Sequence, residues 1–169
     1  ELDSWHAPYL KNSQLAWFKA FQYNHISVDV LNFNEQTLLD ELLSYKVLIY
    51  PHAAILTNQS ANLLKEFVRQ GGKLVVGSRS GYKDKNAKPY MLPTPGPLSE
   101  LLGITVEDFT KIGINENPRI EWVTGEVTKS EEFNEVLKVN RQNIEVLARY
   151  KSAYYEGKPA MVKSSFGQG

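Results

Sequence analysis

The sequence predicts an α/β fold: an open, mainly parallel sheet flanked by helices, with extra short β-structure in the C-terminal half. Three observations predict it. Val47-Leu48-Ile49-Tyr50 and Lys73-Leu74-Val75-Val76-Gly77 carry apolar runs without polar alternation, which indicates strands covered on both faces. Helical and strand patterns alternate as far as Gly77 with short connections, as right-handed parallel crossovers require. Beyond Ile104 the patterned stretches become short and strand-like.

Taken in order, Ser13 offers an N-cap for a helix running to Tyr23, with Leu15 and Phe18 on one face and Trp17, Ala20 and Phe21 on another. Val28, Val30 and Leu31 to Phe33 read as a strand. Between Glu35 and Leu43, Leu38, Leu39, Leu42 and Leu43 fall on one stripe of a short helix. Val47–Tyr50 comes next, closed by Pro51. Thr57 or Asn58 caps the next helix, whose inward stripe is Leu63, Leu64, Phe67 and Val68, and Gly71-Gly72 ends it. Ser78 to Pro97 is rich in Lys, Gly and Pro and reads as an extended surface loop. Leu98–Leu102 makes one helical turn stopped at Gly103, and Ile104–Phe109 a strand. Residues 120–127, 136–139, 144–150 and 160–164 complete the β-pattern.

Composition narrows the function. The chain has 169 residues, no Cys, and 19 basic against 19 acidic side chains, for a formal charge of zero. Zero Cys removes disulfide frameworks, thiolate metal sites and thiol nucleophiles. Nucleic-acid binders carry a basic excess, and none exists. No apolar run is long enough to span a bilayer, and no basic, apolar leader is visible, so a soluble cytoplasmic domain without membrane partners is expected.

The sharpest local feature is Gly77-Ser78-Arg79-Ser80-Gly81, directly after a strand. A nucleophile elbow would stand there in the spacing G-x-S-x-G, but the middle residue is Arg79, which supplies neither a nucleophile nor a base. The expected role is a sharp turn with Arg79 holding a carboxylate or carbonyl. His52 stands at a strand's C-terminal end, where open α/β sheets bind ligands. One alternative is therefore an amidotransferase-like or esterase-like enzyme using Ser78 or Ser80 with His52. Another is a carbohydrate-binding module with Trp5, Trp17 and Trp122 as stacking platforms. No metal-ligand spacing links His6, His25 and His52, no glycine-rich phosphate loop is present, and the acidic pairs read as solvated. No cofactor is expected, and no residue stands out as catalytic. Tyr82, Tyr90, Met91 and Leu92 put large apolar groups into an otherwise polar loop, which marks a subunit contact.

A resemblance sharpens this. Tyr45–Pro51, Phe67–Val76, Ser78-Arg79-Ser80-Gly81-Tyr82-Lys83-Asp84, Pro95-Gly96-Pro97-Leu98 and Glu100-Leu101-Leu102-Gly103-Ile104 occur in an order similar to the middle, trimerisation domain of family 42 glycoside hydrolases, which are retaining β-galactosidases. Glu1–Trp5 resembles the stretch just after that domain's first strand, and Phe166–Gly169 the turn before its last. The resemblance implies a flavodoxin-like fold, similar to class I glutamine amidotransferases without their Cys and His. It also implies that residues 1–169 are a single α/β domain, a fragment of a larger chain cut at both ends. The catalytic glutamates would lie in a barrel of about 250 residues elsewhere in the parent. The implied role is non-catalytic assembly of a homotrimer, against a neighbour and against the parent's barrel. Trp5, His6, Tyr9, Arg79, Tyr82, Tyr90, Met91 and Leu92 are the expected contact residues.

Overall fold

A computed structural model describes residues 7–113 and 115–169. They form two compact units: residues up to Pro89 with Gly167–Gly169, and Tyr90–Phe166.

In the first unit, helix α1 (Ala7–Tyr23) starts well before Ser13, and α2 (Leu39–Leu43) is a single turn around the buried Leu42. Strand β1 (Val47–Tyr50) leads through α3 (Asn58–Arg69) to β2 (Lys73–Val76), which pairs with β1 in parallel, Val47 opposite Lys73 and Tyr50 opposite Val76. Thr57 caps α3, its hydroxyl accepting from the Ser60 amide at 3.1 Å. Of the predicted stripe, Leu64, Phe67 and Val68 turn inward, with Phe67 0% exposed, while Leu63 is only half-buried. The expected strand at Val28–Phe33 does not form; the segment has no ladder partner among the described residues.

The second unit opens on a 3-10 turn (Gly96–Leu98) and helix α4 (Ser99–Leu102). Gly103 ends α4 with φ +67°, a left-handed cap that favours glycine. Strand β3 (Ile104–Lys111) pairs antiparallel with β6 (Phe133–Val139). A second sheet, also antiparallel, runs β5 (Val127–Lys129), β4 (Arg119–Trp122), β7 (Glu145–Tyr150), β8 (Pro159–Lys163). The patterned stretch over 120–127 falls on a hairpin of two strands, β4 and β5. The unit's core packs Val136, Tyr150 and Tyr155 with Ile120 and Ala160. Asn134, buried with them, donates to the Tyr155 hydroxyl at 2.9 Å, and Tyr150 donates to the Glu135 carbonyl at 2.8 Å.

This topology corrects the predicted fold class. Among the described residues β1–β2 is the one parallel pair of strands, with a single parallel bridge from Ile55 to Lys83 beyond it, and every other strand pair is antiparallel. An open, mainly parallel, flavodoxin-like or glutamine amidotransferase-like sheet is therefore not what these residues build. The reason lies in the connections. A parallel pair needs a crossover of a dozen or more residues, as α3 supplies, whereas β4 reaches β5 through a tight turn that permits only antiparallel return.

Candidate functional site

The corner after β2 holds most of the residues singled out for chemistry. It is formed by two loops, leaving β1 and β2, that zip together. Gly77 N–H donates to the Tyr50 carbonyl (3.1 Å), Gly81 N–H to Ala53 (2.8 Å), Lys83 N–H to Ala54 (2.9 Å), and Leu56 N–H to Lys83 (3.0 Å). The approach is so close at Gly77 that a β-carbon there would stand 1.9 Å from the Pro51 carbonyl oxygen. Only glycine fits. The phenol of Tyr50, edge-on to Phe33 at 5.6 Å, is pushed above its ordinary pKa by burial.

Ser80 is buried and fully engaged. Its hydroxyl donates to the Gly77 carbonyl (2.8 Å) and accepts from the Ala53 amide (3.0 Å). The His52 ring meets the Ser78 carbonyl, not its hydroxyl, through Nδ1 at 3.0 Å. A carbonyl only accepts, so Nδ1 carries the proton in that contact. A serine–histidine pair needs the ring nitrogen to take a hydroxyl proton, and neither serine offers one to His52. These geometries make the corner a structural lock, and the hydrolase alternative loses its support.

Arg79 sits at φ +60°, left-handed for a residue with a β-carbon, at a cost of about 1–3 kcal/mol. Its guanidinium lies 5.1 Å from the centre of the Tyr82 ring, a cation–π contact in which the ring's negative face attracts the charge. The structure thus brings Arg79 and Tyr82 together. Beyond them, Asp84 Oδ1 accepts from the Asn86 (2.8 Å) and Lys88 (2.9 Å) amides and folds the loop tightly. Tyr9 stands half-buried on α1. Trp5 and His6 lie outside the described residues. Tyr90, Met91 and Leu92 belong to the second unit, with Tyr90 half-buried, Leu92 exposed and Met91 99% exposed. Next to Met91, Leu92, Pro93, Pro97 and Thr105 line a shallow depression of about 330 Å³.

No stacking array of tryptophans forms among the described residues. Trp17 stacks on Phe21, one helical turn on, with ring centres 5.9 Å apart, and the Trp122 indole donates to the Thr128 hydroxyl at 2.9 Å. Trp17 also departs from the core position that its helix pattern implies, since it is exposed. Among the described residues no group of three or more His, Cys, Asp or Glu could hold a metal, and no helix is long and apolar enough to cross a membrane.

A family model described as the β-galactosidase trimerisation domain matches residues 5–169. The chain belongs to that family. The match takes in the stretches that carried the resemblance, from Trp5 through Tyr45–Ile104 to Phe166–Gly169. Among its relatives, β-galactosidase BbgII of Bifidobacterium bifidum is 28% identical over 176 residues, covering 100% of this chain and 24% of the relative. β-Galactosidase BgaB of Geobacillus is 29% identical over 154 residues, covering 91% of this chain and 22% of the relative. The crystal structure of a β-galactosidase from Bacillus circulans sp. alkalophilus superposes with a TM-score of 0.85 at 24% identity, over 95% of this chain and 23% of that one. That likeness is one of fold. This trimerisation-domain chain spans about a quarter of the length of the relatives it matches.

The site residues that sequence reasoning missed are backbone groups. Ala53, Ala54 and Leu56 hold the corner through amides and carbonyls. Pro51-His52-Ala53-Ala54 carries no side-chain pattern that announces this role. The one legible signal was Gly77, an uncompensated glycine at a strand end.

Proposed function

We propose that this chain is the assembly segment of a longer β-galactosidase, working in the cytoplasm and joining three copies while a barrel elsewhere in the parent hydrolyses terminal β-galactosides. The family match over residues 5–169, in a chain about a quarter as long as its β-galactosidase relatives, carries this reading. The corner supports it, because the Ser80 hydroxyl and the His52 Nδ1 are engaged by backbone groups. Closure of three copies in a ring uses heterologous contacts, one patch on each copy meeting a different patch on the next. Trp5, His6, Tyr9, Arg79, Tyr82, Tyr90, Met91 and Leu92 form the contact surfaces, with neighbours and with the parent's barrel. Met91 is the strongest of these, since a fully exposed thioether side chain gains most from burial.

The test is made on the full-length protein. Replacing Met91 and Leu92 by Asp is expected to lower the mass in sedimentation from three copies to one. His52→Ala, Ser78→Ala and Ser80→Ala are expected to leave turnover of a chromogenic galactoside traceable to other residues. A full-length protein that never exceeds one copy, or turnover abolished by Ser78→Ala with the fold intact, would overturn the reading.

A further inference from the structure

Residues 90–95 belong to no helix or strand, yet hydrogen bonds hold the loop at several points. Met91, Leu92 and Pro93 are exposed, whereas Pro95, Gly96 and Leu98 just after them are buried. The Pro93 carbonyl accepts twice, from the Gly96 amide at 2.9 Å and from the Ser99 hydroxyl at 3.2 Å. The Thr94 carbonyl accepts from the Val106 amide at 2.8 Å, which ties the loop to β3. Proline at 93, 95 and 97 fixes φ at three of these positions. The far end of α4 is secured as well. The last carbonyls of a helix have no partner inside it. Arg141, in the turn after β6, donates through Nη2 to the carbonyls of Glu100 and, at 3.1 Å, Leu101. Gly103 makes room for it: a β-carbon there would stand 2.5 Å from the Arg141 Nε.

A thioether 99% exposed at the tip of a free loop would lose much of any contact energy to ordering that loop. Here the ordering is in place beforehand. We infer that Ser99 and Arg141 are positioning residues for assembly: they hold residues 90–98 so that Met91 and Leu92 meet the neighbouring copy as a preformed wedge. The inference rests on the proposal above that these two apolar residues form a contact between copies. Ser99 acts on the near side, through the carbonyl of Pro93, next to Leu92 in the chain. Arg141 acts on the far side, by fixing the short helix that presents the Ser99 hydroxyl. Both therefore work through Met91 and Leu92 and not by touching the neighbour themselves. The same bonds fix Pro93, Ser99 and Glu100 around the depression beside Leu92, so wedge and hollow are both set before copies meet.

Sedimentation of the full-length protein over a dilution series gives the concentration at which the copies separate. Ser99→Ala and Arg141→Gln, each still folded by circular dichroism, are expected to raise that concentration about tenfold or more. Ser99→Ala removes one hydroxyl and leaves α4 capped, so it carries the test where Arg141→Gln does not fold. The decisive readout is a double-mutant cycle. In a Met91→Ala, Leu92→Ala protein the wedge is gone, and adding either substitution should move the midpoint by less than about twofold. A full effect retained there means that Ser99 and Arg141 act elsewhere, and overturns the inference. An unmoved midpoint in the single variants also overturns it, and leaves the assembly reading standing. A full-length protein that is one copy at every concentration sinks the assembly reading and this inference with it. As a second readout, the Gly96 and Val106 amides should exchange faster with solvent in both variants. Unchanged exchange means that the loop keeps its order without these side chains, and the inference fails.

Discussion

Residues 90–166 finish their own structure, and residues 7–89 do not. In the second unit the strands return on one another through antiparallel ladders, and Val136, Tyr150 and Tyr155 close a core whose polar atoms are partnered. In the first unit α3 is well seated and the corner after β2 is tightly zipped, but among the described residues β1 pairs with β2 alone and no side chain of α1 is buried. The two units contain similar residue types, so the difference is one of connection. Short turns let a chain satisfy its strands from adjacent sequence. A parallel pair depends on partners that arrive from far away. An apolar run therefore says how many faces want cover without saying which stretch of chain supplies it.

The heaviest test of that contrast is Phe67→Ala. Phe67 is 0% exposed beneath α3, and truncating it is expected to cost about 3–5 kcal/mol through lost contacts and the cavity left behind. If the two compact units unfold separately, the cost falls on the first alone. Denaturant unfolding of the full-length protein, followed by Trp17 in one unit and Trp122 in the other, checks this. The Trp17 transition should move to lower denaturant while that of Trp122 stays. Both moving together would join the two units into one cooperative block.

The second test sharpens the contrast from the other side. Burial pushes the Tyr150 phenol far above its ordinary pKa, outweighing its hydrogen bond to the Glu135 carbonyl, with smaller contributions from Tyr155 and Glu135. Below about pH 10 the group is neutral in both folded and unfolded chains and pH has no effect through it. Above that, the unfolded chain releases the proton and the folded one retains it. Stability of the second unit therefore falls as pH rises, by about 1.4 kcal/mol per pH unit. Urea unfolding followed by Trp122 between pH 9 and pH 11 should show this slope, and Tyr150→Phe should flatten it. Tyr50 shifts in the same direction in the first unit, so the Trp17 transition should keep its own slope in that variant. An unchanged Trp122 slope in Tyr150→Phe would mean that other groups set the alkaline limit.

What could be read from the sequence divides along the same line. Val47–Tyr50, Thr57, the stripe Leu64-Phe67-Val68 and Gly103 were legible because each is decided by residues within a turn or two. The Val28–Phe33 strand was not, because its apolar character meets no ladder among the described residues. Mainly parallel pairing was extrapolated from one crossover to the whole chain, whereas the turn between Trp122 and Val127, with Gly125 at φ +85°, folds residues 119–129 back on themselves. At the corner, Gly77 and Arg79 marked a sharp turn correctly. That His52 meets a carbonyl of Ser78 and not its hydroxyl depends on loop register, which side-chain identity does not encode.

The smallest expected effect asks whether the second unit's completeness owes anything to surface charge. Lys163 and Glu145 stand opposite each other on β8 and β7, with 3.7 Å between Nζ and Oε2 and both side chains more than half exposed. Water screens such a pair, and holding two long side chains together costs rotamer entropy, so the net stabilisation is at most about 0.5 kcal/mol. Glu145→Gln keeps the shape and removes the charge. Its Trp122 transition should shift by no more than that amount at low salt, and by nothing measurable in 1 M salt, where the screening length is about 3 Å. A salt-insensitive loss of about 2 kcal/mol or more, well beyond the range of exposed pairs, would place the pair among the elements that hold β7 to β8. The antiparallel unit would then depend on a specific side-chain contact, and the contrast between the two units would narrow.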